Sequence, residues 1–168
     1  MIKAWTVLAV VLCFLLNWPL SLRATEGGDS TQVSRHAYIG AAKCKMCHPK
    51  QYKSWSATKM GTTFADLKGD EAKDPKCVKC HVTGFGKGGY AIGGTNDPDL
   101  TNVQCEACHG PGSDFKSVMQ DKDKAVAAGL VISPDEKVCL GCHNKESTDF
   151  KGFDYSKMKE MVHPLPKK

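Results

Sequence analysis

The chain opens on a single uninterrupted apolar run, Ala4 to Leu16, behind a basic start at Lys3, and then turns into a polar, turn-rich sequence. A run of this length is short for a bilayer span, which needs about 20 residues. With its basic flank it predicts an export signal over residues 1–24. Extending it to Leu22 takes in Asn17 and Pro19, and Leu22-Arg23-Ala24 is a weak cleavage site, so a retained anchor stays open as the alternative. Residues 25–37 are expected to be a flexible segment and residues 38–168 one folded domain. Cys13 lies inside the apolar run and is expected to leave with it.

Beyond the leader the pattern predicts short helices in coil. Asp74-Pro75 starts a helical turn, Thr101 with Gln104 has the spacing of a capping box, and Ser133-Pro134-Asp135-Glu136 offers an N-cap, a first-turn proline and an acidic third position. A helix is expected over 50–67, one from about Ser113 to Gly129, and one from Asp154 to His163 ahead of Pro164. The glycine-rich stretch Gly84 to Gly94 lacks the strand-then-helix context of a phosphate cradle and is expected to let backbone approach something closely. The fold class is therefore mostly α with extensive coil.

Composition sharpens this picture. The chain has 168 residues, nine cysteines, 16 glycines and eight prolines, with a mean hydropathy of -0.34 that already includes the apolar leader. The remaining ~144 residues are too polar to bury a large side-chain core, so cross-links or a bound group must supply the interior.

Eight of the nine cysteines fall into four copies of Cys-x-x-Cys-His: Cys44, Cys47, His48; Cys77, Cys80, His81; Cys105, Cys108, His109; Cys139, Cys142, His143. Chance would give roughly 0.02 such matches in a chain of this composition. The spacing suits two thiols adding across the two vinyl groups of a haem, with the next residue turning its imidazole onto the iron. A disulfide framework has no need of a histidine after each second cysteine, and zinc ribbons have no use for the four histidines either. The reading is four covalently bound haem c groups. Each has about 36 residues of mature chain, so the haems must touch and provide the stacked apolar core. On that reading the glycine loop approaches a haem edge.

Three segments carry a resemblance. They are Tyr38-Ile39-Gly40 with Cys44 to His48, Trp55 and Thr58; Lys76 to Gly86 with Gly88-Gly89-Tyr90; and Val103 to Gly112. Together they resemble the cytochrome c-554 family of tetrahaem cytochromes, over about Tyr38 to His163. The resemblance implies a mostly helical, haem-cored monomer that shuttles electrons in the periplasm, with three haems bound by two histidines each and the second five-coordinate.

The histidine count departs from that pattern. Six histidines less four proximal ones leave only His36 and His163. At the family's distal position for the third haem, five residues after Trp55, stands Met60; at that for the first haem, four after Phe115, stands Met119. Methionine is itself a haem-iron ligand, so retained coordination is expected, with packing as the alternative. In a continuous helix Met60 would lie about 18 Å along the axis from His48, too far to serve the haem that His48 holds. By resemblance His163 is the distal ligand of the fourth haem. His36 is either a solvated residue or a ligand for the second haem, whose iron is otherwise open. Met158 and Met161 are expected to pack on the helix of His163.

The formal charge of +5 becomes +3 without Lys3 and Arg23. Four haems with about eight propionates and about four ferric charges bring the oxidised holoprotein near -1, which excludes nucleic acid as a partner. Lys43, Lys45, Lys50 and Lys53 compensate propionates, dock an acidic redox partner, or form a solvated face. The expected function is periplasmic electron transfer between redox proteins, by a monomer that meets the membrane only if its leader is retained. Two alternatives are a reductase of a small nitrogen or oxygen species at an open second haem and a subunit of a conducting filament.

Overall fold

The structure is a computed structural model and describes residues 36–96 and 98–164. The expected leader and most of the segment 25–37 lie outside the described residues. Among the described residues eight short α-helices follow one another: α1 (Ala41–Lys45), α2 (Pro49–Ser56), α3 (Pro75–Val78), α4 (Cys105–His109), α5 (Gly112–Phe115), α6 (Lys122–Ala127), α7 (Glu136–Leu140) and α8 (Tyr155–Met158). Single 3₁₀ turns and coil join them, and an isolated bridge between Val82 and Thr101 is the one piece of β pairing among the described residues. The expected class, mostly α with extensive coil, is what the structure has. No helix among the described residues is long and apolar enough to cross a membrane.

Local chemistry explains why the helices are shorter than the pattern predicted. The helix expected over 50–67 ends at Ser56, because Thr58 turns both its amide and its Oγ1 onto the Trp55 carbonyl, at 2.8 and 2.7 Å. The chain then folds back so tightly that a Cβ on Gly61 would stand 2.7 Å from that same carbonyl oxygen. Residues 59–61 and 63–66 continue as 3₁₀ turns. The 18 Å separation of Met60 from His48 therefore loses its premise.

The stretch from Ser113 is broken as well. Asp121 caps a new helix by accepting the Lys124 amide, which divides α5 and its 3₁₀ turn from α6. Asp74 and Asp154 cap α3 and α8 as the pattern predicts, but at the fourth motif the cap is Asp135 rather than Ser133. Thr101 and Gln104 form no capping box. Thr101 bonds to Asp99, and Gln104 reaches back to the carbonyls of Asp99 and Thr101.

The buried apolar set among the described residues is small: Ala41, Trp55, Val78, Val82, Leu100, Phe115 and Ala125. Several large apolar side chains, among them Val138, Leu140, Ile132 and Val131, are exposed. Such a set is thin for a domain of this length. Buried polar residues do much of the joining. Glu106, inside the third motif, accepts hydrogen bonds from the amides of Ile39, Gly40 and Gly112 at 2.6 to 3.1 Å. Gln104 Oε1 accepts from Ala41 at 2.6 Å, so the segment before the first motif is fastened to the start of the third. Buried Thr83 links the segment after the second motif to the same region, donating to Asn102 and accepting from Gln104.

Candidate haem-binding site

All four Cys-x-x-Cys-His segments begin as a helical turn or end one. The first cysteines, Cys44, Cys77, Cys105 and Cys139, sit in α1, α3, α4 and α7. In the first and fourth motifs the histidine amide donates to the carbonyl of the first cysteine, His48 to Cys44 and His143 to Cys139, each at 2.9 Å. That single turn brings the two thiols and the imidazole onto one side. No disulfide joins the eight cysteines of the motifs.

The thiols pair between motifs. Cys44 lies against Cys105; this contact, then burial, pushes the Cys44 thiol far up, while the same contact holds Cys105 down. Burial first, and the neighbouring Cys80 next, pushes Cys142 up to about 12. Burial also pushes Cys108 up to about 11, with Cys139 near enough to add to the effect. Lys79, within the second motif, forms an ion pair with Glu146, just past the fourth. The first motif thus lies by the third and the second by the fourth, with the third near the fourth. No three His, Cys, Asp or Glu side chains among the described residues cluster as a site for a bare metal ion.

Two proximal histidines have their tautomer set. His81 Nδ1 is 2.7 Å from the Thr63 carbonyl and His109 Nδ1 is 2.6 Å from the Val131 carbonyl. A carbonyl can only accept, so in both rings Nδ1 carries the proton and Nε2 keeps its lone pair for iron. Neither His48 nor His143 has such a partner among the described residues. The ring of His143 instead lies on Phe153, with centroids 4.8 Å apart and planes 22° from parallel.

A largely apolar cavity of about 360 Å³ separates the first and third motifs, within the usual range for ligand sites of about 300–1,000 Å³. Its wall includes Cys44 and His48 of the first motif, and Cys105, Cys108 and His109 of the third. Met60, Met119 and His163 line it too. Three residues singled out from sequence as distal ligands thus converge on the cavity that two motifs share. The donor set and the apolar lining fit porphyrin.

His36 stands elsewhere. Its amide and Nδ1 both bond Asp114, at 2.7 and 2.6 Å, and its side chain is 74% exposed. The ring clips the N-terminal segment to the chain after the third motif. Two glycines of the glycine loop have close protein neighbours. A Cβ on Gly84 would lie 2.6 Å from the Tyr38 ring and one on Gly89 2.5 Å from the Thr83 carbonyl, so these glycines let the loop fold onto itself and onto Tyr38. The anchoring bonds of Glu106 to Gly40 and of Gln104 to Ala41 escaped the sequence reading, because these backbone amides are more than 60 residues away; a glutamate between two motif cysteines was the available signal.

Comparison with known proteins adds to this geometry. A family model described as cytochrome c554 and c-prime matches residues 43–110. Cytochrome c-554 of Nitrosomonas europaea is 34% identical over 145 residues, covering 68% of this chain and 61% of that protein, so the chain spans less than two thirds of that relative's length. The solved structure of the reduced state of cytochrome c554 from the same organism superposes with a TM-score of 0.59 at 30% identity, covering 77% of this chain and 83% of that one.

Proposed function

The chain belongs to the cytochrome c-554 family, and from that premise we propose that it is an exported tetrahaem cytochrome that carries electrons between redox proteins of the periplasm. The observation that carries this reading is the apolar cavity that Cys44 and His48 of the first motif share with Cys105, Cys108 and His109 of the third, with Met60, Met119 and His163 in the same wall. Prosthetic groups attached at neighbouring thiols are neighbours themselves. When bound, each haem supplies an iron that alternates between ferric and ferrous states, and adjacent haems pass the electron on.

The chain's own part is attachment, ligation and cover. Cys44 and Cys47, Cys77 and Cys80, Cys105 and Cys108, and Cys139 and Cys142 form the thioethers. His48, His81, His109 and His143 hold the four irons from one side, His81 and His109 with Nε2 freed by their carbonyl partners. Met60, Met119 and His163 are the candidates for the opposite side. Exposed Lys43, Lys45, Lys50 and Lys53 beside the first motif form the basic face for an acidic redox partner.

A second reading, binding or reduction of a small nitrogen or oxygen species at the second iron, is favoured by one observation. His36, the histidine left over for that iron, is tethered with Ala37 to Asp114 and Ser113, in the chain after the third motif rather than beside the second.

A reductive titration of purified protein tests the proposal. Uptake of four electrons per chain, without turnover of nitrite, nitric oxide, hydroxylamine or peroxide, is the expected result. Fewer electrons would contradict the electron-carrier reading, and turnover would favour the reductase. A polymeric conductor would instead sediment as large species.

A further inference from the structure

Glu106 stands between the two cysteines of the third motif and is 2% exposed. Its Oε1 accepts from the amides of Ile39 at 2.9 Å and Gly112 at 2.6 Å, and its Oε2 from those of Gly40 at 2.7 Å and Ile39 at 3.1 Å. All three partners are N–H donors with no lone pair to receive a proton, so this cradle holds the carboxyl as an anion. The backbone is shaped for it: a Cβ on Gly112 would stand 2.9 Å from Glu106 Oε1. The ion pairs of the described residues all lie elsewhere, so the buried charge is met by amide dipoles and by no cationic side chain among them.

That charge lies between two motifs. Glu106 follows Cys105 directly, and it holds the amide of Gly40, the residue whose carbonyl is 3.9 Å from Cys44 Sγ. Its field reaches both thiols, adding to what pushes Cys44 up and opposing what holds Cys105 down. Through these sulfurs the first and third haems attach. A ferric iron in a porphyrin dianion carries one net positive charge, and the electron that makes it ferrous removes that charge. A fixed anion nearby therefore favours the ferric form, and a buried one is little screened by water. At the place of Glu106 the other motifs have Lys45, Val78 and Leu140, so the third alone carries an acid there.

We propose that Glu106 is a positioning residue that also sets potentials: its carboxylate fastens the segment before the first motif to the third, and its buried charge lowers the midpoint potentials of the first and third haems while leaving the second and fourth nearly untouched. This rests on the haem-binding role proposed above.

The test uses the full holoprotein in wild-type, Glu106→Gln and Glu106→Asp forms, each checked by intact mass for four haems. Spectroelectrochemical titration reads the midpoint potentials, and proton NMR at partial reduction assigns each to its haem through contacts with the thioether cysteines. In Glu106→Gln, the haems attached at Cys44 and Cys47 and at Cys105 and Cys108 should gain about tenfold in ferrous-to-ferric ratio at a fixed poise, a rise of ~59 mV for one electron. The haems on Cys77 and Cys80 and on Cys139 and Cys142 should move far less. Glu106→Asp keeps the charge and withdraws it by one methylene, so the Gly40 and Gly112 amides should lose protection in hydrogen exchange while the potentials stay near wild type. No rise in Glu106→Gln, equal rises at all four haems, or a rise in Glu106→Asp as large as in Glu106→Gln would overturn the proposal while leaving four haems in place. If Glu106→Gln does not take up four haems, infrared difference spectra of wild-type protein labelled with carbon-13 glutamate decide: an ionised glutamate carboxylate band should shift as the first and third haems are reduced, and a band that does not move overturns the proposal. Wild-type protein with fewer than four haems would overturn the reading beneath it.

Discussion

The second and fourth motifs have the same five-residue chemistry and opposite surroundings. Around Cys77–His81 the chain covers itself: Val78 is fully buried at 0% exposure, Val82 and Thr83 are buried beside it, and the His81 ring is fixed by the Thr63 carbonyl. Around Cys139–His143 the helix buries none of its residues, Val138 and Leu140 are 39% and 40% exposed, and His143 has only the face of Phe153 against it. Apolar side chains left in the open at the fourth motif, within a domain so short of buried ones, indicate where haem replaces polypeptide as the core. One motif is packed by protein, and the other leaves apolar side chains for a bound group to cover.

Removing one haem at a time should break this symmetry most visibly. In a Cys139→Ala, Cys142→Ala variant, amides of residues 136–143 should lose nearly all their protection in hydrogen exchange. In a Cys77→Ala, Cys80→Ala variant, the Thr83 and Tyr90 amides, bonded to the Leu100 and Thr83 carbonyls, should keep most of theirs. Equal losses in the two variants would remove the distinction.

Single truncations sharpen it. Val78→Ala should cost about 2 kcal/mol in denaturant unfolding, because it opens a cavity in a site with no solvent contact. Val138→Ala should cost about 1 kcal/mol in the holoprotein if haem covers that side chain, against less than about 0.5 kcal/mol for a solvated one.

How much of this was legible in the sequence follows from range. The four motifs were legible because covalent attachment acts within five residues, and the helix starts at Asp74 and Asp154 because caps act within one turn. The helix ends were not, since Thr58 and Asp121 divert the backbone through bonds that propensity does not record. The convergence of Met60, Met119 and His163 on one cavity was anticipated only as a set of residue types. Which motif each would face depends on contacts such as Ser54 to Pro164, 110 residues apart in the chain. The Glu106 anchor was invisible for the same reason.

The smallest expected effect is acid dependence at the N-terminal clip. Burial works against ionised Asp114, but bonds from the His36 ring and amide and from the Ser113 hydroxyl outweigh it and hold its carboxyl below the usual carboxylate range. A lowered carboxylate value contributes stability that is fully present above about pH 3.9 and fades as pH falls through the group's own lower value. Because His36 is largely exposed, the contribution should stay below ~1 kcal/mol. Asp114→Asn should therefore be slightly less stable than wild type at neutral pH, and the two unfolding curves should converge in acid; a difference that persists there would assign the effect to packing.

Four haems attached to this one chain are the central expectation, and intact-mass measurement of the denatured, purified protein after treatment with a thiol-alkylating reagent tests it directly. The expected spectrum has four haem increments and no alkylation at Cys44, Cys47, Cys77, Cys80, Cys105, Cys108, Cys139 or Cys142. Fewer than four increments, or two or more of these cysteines alkylated, would contradict it.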